Sequence, residues 1–125
     1  MIVRRFYEEL GLLLYAVCMS DGEIQAKEKR VIDRTIDQFL SQYPDFEKYG
    51  HVKNLLLTKI HFYHAIDNHI KPSAARNSFL VFVKKYRNNL DGESRKIARL
   101  LLQKVASAYG GVSAEESQLL KLLED

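Results

Sequence analysis

The sequence predicts an all-α protein, a single compact bundle of about six to seven helices spanning residues 1–125. Three observations predict it. Apolar residues recur at three-to-four spacing along nearly the whole chain, which is the period of a helix with one buried face. The two prolines, Pro44 and Pro72, fall at the ends of such stretches rather than inside them. No hairpin dipeptide is flanked by alternating apolar residues, so nothing supplies a paired strand.

The elements follow in order. Phe6, Leu10, Leu13, Leu14 and Val17 keep helical spacing, and Leu12, Tyr15, Ala16 and Cys18 make that first helix apolar almost all round, which places it centrally. Val31, Ile32, Thr35, Ile36, Phe39 and Leu40 mark a second helix, ended or bent near Pro44. Val52, Leu55, Leu56, Ile60, Tyr63, Ile66 and Ile70 read as one long stripe closed by Pro72. Ala75, Phe79, Phe82, Val83 and Tyr86 form a fourth stripe, Ile97, Leu101, Val105 and Ala108 a fifth, and Leu119, Leu120 and Leu123 a short sixth. The run from Phe79 to Val83 is rich in strand formers, but it has no partner strand and is assigned to helix.

Composition sets the class. Apolar residues are 46% and charged residues 28% of 125, which is ordinary globular usage and excludes disordered, collagenous and low-complexity chains. The single cysteine, Cys18, excludes internal disulfides, zinc ribbons and iron–sulfur clusters, and within so apolar a helix it reads as an inert packing residue. Arg4 and Arg5 precede an apolar run from Leu10 to Met19, but Glu8 and Glu9 intervene and the run is too short to span a bilayer, so a cytoplasmic protein is expected. The net charge of +3 is unevenly spread. Residues 71–104 are strongly basic, whereas the segments before and after them carry a slight acidic excess.

The most informative feature is an internal echo. Ser20-Asp21-Gly22-Glu23-Ile24, running to Glu28, aligns with Ala108-Tyr109-Gly110-Gly111-Val112, running to Glu116. Each follows a long apolar helix and leads into another. Gly22 and Gly110 suit the left-handed position that closes a helix C-terminus. Ser113 with Glu116 forms a capping box, and Gln25 with Glu28 a poorer one. Two helix–glycine turn–helix units therefore stand at the two ends of the bundle.

These two units, Val17 to Glu28 and the helix opened by Asp91 through to Glu116, resemble the tellurite-resistance TerB-like domains, whose repeats carry Ala-Asp-Gly-Glu-aliphatic-Ser-x-x-Glu. The resemblance covers about residues 12–40 and 90–123, and the stretch between shares only its helical character. It implies an all-α, non-catalytic binding or scaffold module of cytoplasmic stress-response systems, with protein partners near the membrane and divalent cations held by acidic residues. In the first unit Asp21, Glu23 and Glu28 stand at the acidic positions. In the second, Tyr109 and Gly111 replace two acids and only Glu116 remains.

Two candidate surfaces result. Asp21, Glu23, Glu28 and Glu116 are the candidate ligands of a weak calcium or magnesium site, since hard cations take several oxygen donors; the same residues are also explained, and more simply, as helix-end acids. Lys84, Lys85, Arg87, Arg95, Lys96 and Arg99 could present one positive face, an alternative candidate for nucleic acid or an anionic surface, with an ordinary solvated or protein-binding face the plainer explanation. His61 and His64 fall opposite Val52 on the third stripe and read as incidental surface histidines. No P-loop, dinucleotide fingerprint or nucleophile elbow occurs, so no catalytic residue is nominated.

Overall fold

The computed structural model describes residues 2–19, 24, 26–42, 51–108 and 113–124; the side chains of residues 27, 28, 42, 51 and 52 lie outside that description. Six α-helices appear among the described residues, and no strand. They are α1 (Ile2–Cys18), α2 (Ala26–Gln42), α3 (His51–Asp67), α4 (Pro72–Tyr86), α5 (Gly92–Ala108) and α6 (Ala114–Leu122), with a 3₁₀ turn at Arg87–Asn89. The expected all-α bundle is what forms. None of these helices is long and apolar enough to cross a membrane.

Helix α1 is the hub, as its all-round apolarity predicts. Ten of its residues, from Phe6 to Cys18, are buried, and it packs against α3, α4 and α5. Helix α2 lies on α3 and α5, and α6 closes against α4 and α5. The α1–α3 contact is unusually close because Gly11 faces the α3 backbone, and a Cβ there would run into the Thr58 carbonyl oxygen. At the same crossing the fully buried Thr58 hydroxyl donates to the Tyr7 carbonyl at 2.7 Å. The Tyr7 hydroxyl in turn donates to Ser94 on α5 at 3.3 Å. Asp91 caps α5 by accepting from the Ser94 amide at 3.1 Å. Burial pushes the Tyr7 phenol far above its ordinary range, since the ionised form would lose its hydration.

Helix ends are closed by local chemistry. Ser113 and Glu116 form the predicted capping box on α6, and Pro72 opens α4 at its first turn. Helix α3 ends in a Schellman arrangement, with Ile70 N–H on Ala65 and His69 N–H on Ile66. His69 takes the left-handed position, φ 50°, without being glycine. The strand-rich run of α4 shows helical burial, with Phe79, Phe82 and Val83 inside and Val81 66% exposed.

One expectation is corrected. The apolar spacing predicts an α3 stripe that includes Leu56 and Ile60, but these are exposed, and the buried side is Leu55, Thr58, Phe62 and Ala65. Helix α3 carries apolar residues on two faces, and close approach to Gly11 selects the face that has small Thr58 at its centre.

Candidate functional site

Of the proposed cation ligands, Asp21 and Glu23 lie outside the described residues, as does the Glu28 side chain. Glu116 is described, and its carboxylate accepts the Ser113 amide at 3.4 Å within the capping box. Its position is thus explained by α6 alone. Among the described residues no group of three or more His, Cys, Asp or Glu side chains converges as metal ligands would.

Three of the six candidate residues of the basic stretch are engaged at the end of α6. Arg99 Nη1 donates to the Leu123 carbonyl at 2.7 Å, Arg95 Nη1 to the Glu124 carbonyl at 3.2 Å, and Arg87 Nη2 to the same carbonyl at 3.1 Å. Three guanidinium groups therefore gather at the C-terminal end of α6, where the helix dipole and unsatisfied carbonyls favour positive charge. Helix α6 folds back against α4 and α5, and only the tertiary fold brings the carbonyls that follow it to the arginines. Lys84, Lys85 and Lys96 remain exposed.

A different basic site forms where the N-terminal half of α1 meets the C-terminal half of α4. An open cleft of about 380 Å³ is lined there by Arg5, Glu9, Val81, Phe82, Lys85 and Tyr86, among others. The Arg5 guanidinium stands over the Phe82 ring at 5.2 Å, and the Lys85 ammonium over the Tyr86 ring at 5.2 Å. Such stacking restrains two long side chains while their charge stays in water. Phe82 and Tyr86 themselves pack ring to ring, 4.9 Å between centroids. Glu9 accepts the Ser78 hydroxyl at 2.7 Å across the cleft. Val81 stands exposed on α4, and Lys84 and Lys85 are its neighbours at helical spacing. Arg5 escaped the sequence reading because it lies far along the chain from Lys85. Only the packing of α1 on α4 joins them.

The α3 histidines have specific surroundings. His61 is only half exposed and turns toward α1, its Nε2 3.0 Å from Glu8 Oε2. This corrects the expectation that it stands opposite the core. His64 is exposed, and its carbonyl accepts from the Asn68 side chain at 2.8 Å. Cys18 is fully buried in the core, as expected. On the outer side of α3 a shallow groove of about 580 Å³ runs along Leu56, Lys59, Ile60, Tyr63, His64 and Asp67. Asp33 on α2 holds its edge, binding Lys59 at 3.2 Å and accepting the Tyr63 hydroxyl at 3.1 Å. Burial, then that hydrogen bond, raises the Tyr63 phenol above its ordinary value.

No protein-family model, curated protein or solved structure matches this chain.

Proposed function

We propose that the protein is a non-catalytic, cytoplasmic interaction module of the TerB-like kind, which docks an acidic protein surface at the α1–α4 cleft. The observation that carries this is the pair of stacked cations. Arg5 over Phe82 and Lys85 over Tyr86 flank an exposed apolar residue, Val81. Charge held in place beside an exposed apolar residue suits a protein-binding patch, in which the charge steers and orients the partner. The stress-response assignment rests on the two glycine-turn units and their resemblance to the TerB-like repeat. Calcium or magnesium binding at Asp21, Glu23 and Glu28 belongs to the same proposal and is carried by the sequence alone.

Nucleic-acid binding is the less favoured reading. Three of the six residues nominated for phosphate contact, Arg87, Arg95 and Arg99, hold the end of α6. The aromatic rings near the cleft are covered by cations or by each other, which leaves few platforms for bases.

The test is affinity capture with wild-type chain and with an Arg5→Glu, Lys85→Glu double variant, each with and without chelator. Partners that wild type retains and the charge-reversed chain loses are expected. Identical partner sets would sink the cleft as the docking site. Partners indifferent to chelator, together with no heat on titration of millimolar calcium or magnesium, would remove the cation component and leave docking intact. Salt-sensitive binding of generic duplex DNA would favour the nucleic-acid reading instead.

A further inference from the structure

We propose that the outer face of α3 is a self-association surface, on which a second copy of this chain packs its own α3 antiparallel about a two-fold axis through Ile60. Ile60 is 59% and Leu56 47% exposed, two of the three large apolar residues left uncovered on the described surface. Ile60 stands directly opposite the buried side of α3, which comprises Leu55, Thr58, Phe62 and Ala65. Lys53 and Asp67, both exposed, lie the same distance before and after Ile60, about two helical turns each way, and so share its face. Neither has an ion-pair partner among the described residues.

Those charges choose the occupant. A two-fold axis through Ile60 sets Lys53 against the partner's Asp67, and Asp67 against the partner's Lys53, so one patch satisfies itself twice. A parallel pairing would oppose like charges. An unrelated helix would have to carry the same apolar centre with opposite charges at matching spacing, whereas a second copy supplies that pattern by symmetry. The rim is already held, since Lys59 and Tyr63 are anchored on Asp33 and need little ordering on contact. A single helix face of about 25 Å buries less than the roughly 1,200 Å² of a stable complex, so the dimer is weak and reversible. This face turns away from α1 and includes no residue of the α1–α4 cleft.

Sedimentation equilibrium of the full chain between about 10 and 500 µM tests it. The mass is expected to rise reversibly from monomer toward dimer. Ile60→Glu, at an exposed position, is expected to keep the circular-dichroism melt and weaken association at least ~tenfold. Lys53→Asp and Asp67→Lys are each expected to weaken the dimer, and the two together to restore it, because the exchange recreates both cross-pairs. A chain that stays monomeric throughout, a dimer indifferent to Ile60→Glu, or a double exchange no tighter than the single variants would each overturn the proposal.

Discussion

Arg99 reaches from α5 to the Leu123 carbonyl, with 2.7 Å between donor and acceptor. Arg87 and Arg95 complete the clamp on the Glu124 carbonyl. The short helix α6, which spans nine residues, would fray readily alone. Its start is closed by the Ser113 capping box and its end by these guanidinium groups. Arg99→Ala is expected to cost about 1 kcal/mol, a charged hydrogen bond discounted for partial exposure. Amide exchange over residues 119–123 is expected to quicken while the α1 amides stay protected. Unchanged exchange in α6 would show that the clamp contributes nothing.

Gly11 against Thr58 predicts a larger effect. Gly11→Ala is expected to destabilise by about 2–4 kcal/mol, because the added methyl meets backbone rather than a flexible side chain and α1 must move off α3. Denaturant unfolding measures it. A loss below about 0.5 kcal/mol, the range of ordinary surface changes, would mean the helices separate at little cost.

His69 predicts a gain. Its left-handed backbone, φ 50°, is where glycine is at ease and histidine is strained. His69→Gly is expected to stabilise by about 0.5–1 kcal/mol, since relief of strain outweighs the added freedom of the unfolded chain. A lower melting temperature would contradict that balance.

Alkaline pH is expected to destabilise the fold through its tyrosines. Tyr7, Tyr15 and Tyr63 all have raised pKa values in the folded protein, chiefly from burial. The unfolded chain then loses phenolic protons near pH 10 while the folded chain keeps them, so stability falls as pH rises past about 10. Their contribution is fully present at neutral pH. Tyr7→Phe is expected to flatten the alkaline slope while costing little at pH 7 beyond its bond to Ser94. An unaltered slope between pH 9 and 11, read by chemical denaturation, would contradict the assignment.

Much of the bundle was legible because helix periodicity and end signals are local. The Ser113–Glu116 box, the Asp91 cap and the central place of α1 all follow from residues within a few positions of one another. The buried face of α3 is not legible in the sequence, because Leu56 and Ile60 are as apolar as Leu55 and Phe62, and periodicity cannot rank two apolar faces of one helix. Gly11 carried the missing information. A glycine within an apolar helix marks a close approach, although only the fold names Thr58 as its partner.

The basic stretch shows the same division on the functional side. By itself the sequence determined the helical class, the capping of the helix ends and the concentration of positive charge between residues 71 and 104. Tertiary structure alone decided where that charge acts. It turned three arginines onto the Leu123 and Glu124 carbonyls just past α6, brought distant Arg5 beside Lys85, and left Ile60 facing outward. The physical reason is range: spacing along one helix says which residues share a face, and only packing between helices says what that face meets.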